Sequence, residues 1–258
     1  MNHVHDVKKR MDSRGMKIGI TGSEGFIGTV FRRYLTVLGD HPVICPRSAF
    51  ERPDEMAAFC SSCEAVVHFA GLSRHPDGNH LLETNLRLTA ALIRGLEKSG
   101  RLPHVFLAST THEQRDLPYH ESKRRSRQMF ESWAKETGGS FTTLLMPNTF
   151  GPYARPFFNS AVSTFCYQAA HGQTPERIDP AGLKLISVRT LCREIRRTVL
   201  RNEPGITTAE FPHEYEVRLD ELWRKLQEWK SKMDAGKSPA AETPFEADLL
   251  SAFLSYCE

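Results

Sequence analysis

No apolar run in this chain of 258 residues approaches the roughly 18 needed to cross a bilayer, so no membrane partner is expected. Residues 1–15 are polar and basic, without the apolar stretch of a signal peptide. They read as a disordered leader ahead of a fold that begins at Met16. Of six cysteines, the pair in Cys60-Ser-Ser-Cys63 has redox or metal spacing, and no second pair accompanies it to complete a zinc site. Set between a short helix and a buried strand, these read as reduced packing thiols, which together with the missing export signal predicts a cytoplasmic protein. No cluster of His, Cys, Asp and Glu has ligand spacing, so no metal is expected. A net charge of +3 is too slight to call for nucleic acid. The basic run Lys123-Arg124-Arg125 has no interleaved aromatics and lies on a helix whose other residues suit different chemistry. Internal repeats and low-complexity blocks are also missing.

What is present is an ordinary globular composition, 40% hydrophobic and 25% charged, long enough for one large domain or one domain with a small lobe. Buried strands are expected at 16–21, 42–45, 64–70, 103–109 and 140–146. Helices are expected from about 26 to 38, over 79–99 and over 119–136. Strands alternating with long helices imply right-handed crossovers and a parallel sheet covered on both faces. The fold class is therefore α/β, a doubly wound parallel sheet of Rossmann type, with a small C-terminal substrate-binding lobe. Beyond Pro147 the rhythm loosens into a helix at 160–170, a strand at 183–188 and a helix at 190–200. A helix over 217–233 carries a packing stripe of Leu219, Leu222, Trp223, Leu226 and Trp229. A linker at 235–244 and an amphipathic segment at 245–256 close the chain. The expected division is a nucleotide-binding domain over 16–147 and a substrate-binding part over 148–258, intertwined with it.

Gly22, Gly25 and Gly28 follow a strand and open a helix, the context that marks a dinucleotide loop. Glycines let the backbone approach a pyrophosphate, and the positive end of the helix attracts it. The second strand ends at Cys45 without an Asp or Glu to accept from a ribose 2′-hydroxyl, and Arg47 follows. A guanidinium there pairs with a 2′-phosphate, which places NADP(H) ahead of NAD(H). The bland alternative is a solvated arginine. Tyr119 and Lys123 stand four apart and share one helix face. A tyrosine holds its proton at pH 7, and a neighbouring cation favours the phenolate and lowers its pKa. Such a pair can relay a proton to or from a carbonyl or alcohol. An isolated pair of this spacing is often just a solvated helix face, so its weight comes from its order after the glycine loop.

The glycine spacing, with Thr21 before it and Phe26-Ile27 inside it, resembles the extended short-chain dehydrogenase/reductase family. The resemblance continues through His68-Phe-Ala-Gly71, Asn85, Ser109-Thr110-Thr111, Tyr119/Lys123 and Pro147-Asn-Thr-Phe-Gly-Pro152. It implies that Phe26, Ile27, Ala70, Gly71 and Pro147 line the coenzyme cleft with the glycines. It also implies that Thr111 holds the reacting oxygen and Tyr119 is the acid/base. Lys123 would bind the nicotinamide ribose, and Asn148 would lie near nicotinamide and substrate. The stretch 146–166 and the ending 245–256 look like the reductase domain of CapF-type capsule-biosynthesis enzymes. Those reduce a UDP-linked 2-acetamido-2,6-dideoxy-4-hexulose with NADPH and continue into an epimerising cupin domain. The sequence stops where that domain would begin, which implies reduction without epimerisation.

By the same resemblance Arg155 and Asn159 grip the substrate diphosphate, while Ser73 and Arg74 are expected from their place after the third strand to reach its sugar or phosphates. His68 reads as a buried strand residue. Two departures stand out. Ser187-Val-Arg189-Thr190 has a base where many relatives carry acids. In addition, Thr111-His112-Glu113 stands where sugar-nucleotide 4,6-dehydratases have Thr-Asp-Glu. Glu113 is then either a dehydratase-like base, with His112 in place of the acid, or a polar loop residue. An epimerase of the same superfamily is a further alternative. A non-catalytic NADP(H) sensor is the rival outside enzymes, but it would not need the Tyr/Lys pair. By analogy with the family, the helices at 79–99 and 119–136 pair two copies into a homodimer.

Overall fold

The computed structural model describes residues 15–178 and 182–257; apart from Gly15, the expected leader lies outside them. The chain divides into two compact units. The first runs to Leu145 and includes Cys192–Glu210; the second comprises Met146–Leu191 and Phe211 onward.

In the first unit, short apolar runs become strands β1 (Lys17–Thr21), β2 (His41–Ile44), β3 (Ala65–His68), β4 (His104–Thr110) and β5 (Phe141–Met146). Helices α1 (Phe26–Val37), α2 (Pro53–Ser61), α3 (Gly78–Ser99) and α4 (Pro118–Thr137) connect them. The sheet order is β2-β1-β3-β4-β5-β8, where β8 is Ile206–Glu210. Registered pairs β1/β2, β1/β3, β3/β4 and β5/β8 are all parallel. The chain moves outward from β1 to β2 and returns to β3 on the other side of β1. The C-terminal ends of β1 and β3 therefore flank the switch point where open α/β sheets bind ligands. A core of Met56, Phe59, Leu92, Leu96, Phe130, Trp133 and Phe141 fills the layer beneath α2, α3 and α4. Cys60 and Cys63 are buried in it, and burial pushes their thiols up to about 12 and about 11. They are packing residues, inert as thiolates.

The second unit has its own three-stranded sheet, β6-β7-β9. Its strands are β6 (Asn148–Phe150), β7 (Gly182–Ser187) and β9 (Tyr215–Arg218). Helices α5 (Ala161–Ala170), α7 (Leu219–Asp234) and α8 (Pro244–Leu254) cover it, while α6 (Val188–Arg201) runs from this unit into the first. Phe150, Phe165, Trp223, Leu226, Trp229, Leu249 and Phe253 form its core. The helix expected from 217 begins instead at Leu219, because Val217 is paired antiparallel with Leu183. Strands β6, β8 and β9 were not expected; each is too short or too polar for periodicity to reveal.

Candidate active site

The loop after β1 is shaped by backbone contacts that exclude side chains. Gly22 has φ +68°, and a Cβ there would stand 2.7 Å from the Ala70 nitrogen. A Cβ on Gly28 would stand 2.2 Å from the Gly22 carbonyl oxygen. The ends of β1 and β3 are tied further by Thr21, whose Oγ1 lies 2.8 Å from His68 Nδ1 and accepts from the Ala70 N–H at 3.2 Å. His68 is buried, as expected, and burial and then Lys123 push it down to about 3, so it stays neutral. Gly25 is the N-cap of α1, no side chain caps the helix, and its first turn has no acidic residue. Phe26 and Ile27 open that helix, half-buried. A helix end with uncapped N–H groups, approached closely over glycine backbone, fits the diphosphate of a nicotinamide dinucleotide.

Arg47 opens a short 3₁₀ turn after β2. Its guanidinium pairs at 2.7 Å with Glu24, inside the glycine loop. Sequence reading left Arg47 as either a phosphate ligand or a solvated side chain and did not foresee this acidic neighbour.

A chain of hydrogen bonds joins the loop after β3 to the helix bearing the Tyr/Lys pair. Gly71 packs on Asn85, whose Oδ1 would be 3.1 Å from a Cβ at 71. Asn85 accepts from the Leu72 N–H at 2.7 Å and donates to the Leu72 carbonyl and to Ser122 Oγ, both at 2.9 Å. Ser122 in turn donates to the Tyr119 carbonyl at 2.7 Å. Lys123 Nζ donates to the Ala108 carbonyl of β4 at 2.8 Å and stands 5.6 Å from the Tyr119 ring centroid. The first turns of α4 are therefore anchored to β4 and to the loop that flanks the switch point. Ser122, between the paired residues, was missed by sequence reading. Its signal was its position on the same helix turn.

The expected lowering of the Tyr119 phenol is reversed among the protein's own groups. Burial pushes it up to about 12, and burial likewise brings Lys123 down to about 8, with Glu113 opposing that fall. The tyrosine hydroxyl makes no hydrogen bond within the described residues. It is available to a ligand, and like any phenol it carries its proton at neutral pH. Thr111 is half-buried in the turn just past Thr110, where β4 ends.

Ser73 and Arg74 lie exposed in the bend between β3 and α3. Pro147, Asn148, Arg155 and Asn159 belong to the second unit. There Pro147 is buried, the other three are exposed, and Arg155 lies 5.0 Å above the Phe158 ring. Tyr153 and Phe157, on either side of Arg155, both have left-handed φ values, +68° and +57°.

Among curated proteins, the chain is similar to UDP-2-acetamido-2,6-beta-L-arabino-hexul-4-ose reductase of Pseudomonas aeruginosa. The two are 24% identical over 243 residues, covering 93% of this chain and 65% of the relative. Among solved structures it is similar to the capsular polysaccharide assembling protein CapF of Staphylococcus aureus, with 28% identity and a TM-score of 0.73. That match covers 94% of this chain and 66% of CapF. The chain thus spans just under two thirds of the length of these relatives. The fold is shared with WbmF of Bordetella bronchiseptica, solved with NAD+ and UDP, at 16% identity and a TM-score of 0.78, covering 94% of this chain and 92% of that one. The profile of the NAD dependent epimerase/dehydratase family matches residues 18–186, a span that holds the glycine loop and the Tyr119/Lys123 pair. The chain therefore belongs to the NAD dependent epimerase/dehydratase family.

Proposed function

We propose that the protein is an NADPH-dependent reductase of a nucleotide-linked 4-keto-deoxysugar, of the UDP-4-keto-2-acetamido-2,6-dideoxyhexose type, serving surface polysaccharide synthesis. The observation that carries this reading is the Tyr119 phenol. Its hydroxyl makes no hydrogen bond within the described residues, and it sits on a helix pinned to β4 through Lys123, whose Nζ stands 5.6 Å from its ring centroid. The named likeness to a UDP-hexulose 4-reductase supports the same direction of reaction.

When bound, the coenzyme supplies hydride. Gly22, Gly25 and Gly28 and the first N–H groups of α1 would hold its diphosphate; Ala70 and Gly71 would border its adenosine half. Tyr119 donates a proton to the carbonyl oxygen as that oxygen gains charge, and Thr111 holds the oxygen in line. Lys123 would hold the nicotinamide ribose, and its cationic head offsets the charge left on the phenol. Positioning together with charge stabilisation supplies most of the acceleration. In the second unit Arg155 and Asn159 are the candidates for the substrate diphosphate and Asn148 for the substrate; in the first, Ser73 and Arg74 are candidates for its sugar or phosphates. A cytoplasmic homodimer built on α3 and α4 belongs to the same proposal.

The decisive measurement is a coenzyme balance on UDP-, GDP- and dTDP-linked 4-keto sugars. A reductase consumes one NADPH per sugar converted. Conversion of the matching 4-hydroxy nucleotide sugars, with no net change in coenzyme, would make the protein a 4,6-dehydratase or an epimerase, whose hydride returns to the product. Tight NADPH binding with no conversion of any sugar would favour the sensor.

Coenzyme choice follows from Glu24 and Arg47. Both side chains are largely exposed, so their pair is worth at most about 1 kcal/mol and a 2′-phosphate can displace the carboxylate. Arg47→Ala is expected to raise the KM for NADPH about tenfold while leaving that for NADH nearly unchanged. Glu24→Gln should lower the NADPH value by up to about fivefold. Equal effects on both coenzymes would show that Arg47 does not read the phosphate.

A further inference from the structure

Glu113 occupies the place at which sugar-nucleotide dehydratases carry a proton-removing acid, yet its carboxylate has other occupations. The residue is only 6% exposed. Oε1 accepts from Ser109 Oγ at 2.5 Å, and Oε2 meets Arg127 Nη1 at 3.3 Å. Arg127 extends the network to Glu131 at 2.9 Å and to Thr208 of β8 at 3.2 Å. The backbone carbonyl of Glu113 is taken by Arg124, which also bonds the Arg115 carbonyl at 3.0 Å. Buried and engaged at both oxygens, this carboxylate is committed to partners within the protein.

Its position relative to Lys123 gives it a different task. Lys123 holds the carbonyl of Ala108, and the next residue, Ser109, gives its hydroxyl to Glu113. One short piece of β4 is thus gripped by the lysine and the glutamate together. Lys123 and Arg127 stand i, i+4 on α4, so the cation and the partner of Glu113 share one helix face. We propose that Glu113 is a positioning residue, the buried counter-charge that keeps Lys123 cationic and in place beside Tyr119, and not the base of a dehydration. This inference rests on the reading of Tyr119 and Lys123 given under Proposed function.

The charged and titratable groups around the lysine head support it. From β3 comes His68, neutral throughout the relevant range; from α4, Tyr119; from the loop after β4, Glu113, itself paired with Arg127. Burial draws Lys123 down to about 8, and Glu113 acts against that shift. Removing the negative charge therefore lowers the lysine value further, so its charge is lost at a lower pH.

The test is an NMR titration of lysine Cε signals in the ligand-free protein, with Lys123 assigned by its loss in Lys123→Arg. The wild type is expected to show a midpoint near 8. In Glu113→Gln the midpoint should fall by about one unit. In Ser109→Ala, which loses the hydrogen bond and keeps the charge, it should stay. Should the Gln variant not fold, Glu113→Asp carries the test: a wild-type midpoint supports the counter-charge, and a fall of about one unit overturns it. An unmoved midpoint in Glu113→Gln, or an equal fall in Ser109→Ala, overturns it as well. The alkaline limb of NADPH turnover should follow the NMR midpoint in each variant. The titration needs neither substrate nor coenzyme. Its failure is therefore distinct from absence of NADPH consumption by the wild type, which would remove the reductase reading itself.

Discussion

Tyr119→Phe is expected to lose turnover on the order of 10³-fold, the range for removing a positioned general acid. NADPH affinity should stay within a factor of about two, because the missing hydroxyl bonds nothing within the described residues and its loss leaves no buried partner unsatisfied. The ring remains to pack near Lys123, whose Nζ is 5.6 Å from its centroid. Stopped-flow NADPH absorbance gives the rate, and fluorescence titration gives the affinity. Retained turnover would remove Tyr119 from the chemistry. A parallel loss of affinity would mean that the substitution had disturbed the cleft instead.

Gly28→Ala should have the second large effect, with a sign opposite to helix propensity. In a typical helix interior, alanine is favoured over glycine by about 1 kcal/mol. Here the new Cβ would lie 2.2 Å from the Gly22 carbonyl, and backbone cannot yield as a flexible side chain does. We expect a net loss of about 1–3 kcal/mol in chemical denaturation and at least about a tenfold loss of coenzyme affinity. Gly25→Ala is the informative partner. Its Cβ would sit 3.3 Å from the Gly22 carbonyl, tight but tolerable, and Gly25 is exposed. That variant should keep its stability and lose mainly coenzyme affinity, because the methyl obstructs close approach of the diphosphate. Equal losses of stability in the two variants would sink this account of the loop.

The doubly wound sheet, the glycine loop, the Tyr/Lys helix and the buried fate of His68 were all legible in the chain. Each is written in local currents of sequence: apolar runs for β1, β3 and β4, and helical spacing for α3 and α4. What local pattern cannot register is pairing. Strand β8 reads as polar Ile206-Thr-Thr-Ala-Glu210 and exists because β5 offers it a parallel partner. The start of α7 moved to Leu219 because Val217 and its neighbours are claimed by β7.

The same division runs through the site. Sequence alone determined which chemistry-bearing residues are present and in what order, because a dinucleotide loop and an acid/base pair need particular residue types at fixed spacings. Tertiary structure decided what each of them faces. It set Glu24 against Arg47, engaged Glu113 with Ser109 and Arg127, and raised the Tyr119 phenol where adjacency to a lysine argued for lowering it. The physical reason is that charge and acidity depend on burial and on neighbours brought in from distant parts of the chain, and neither is encoded in spacing.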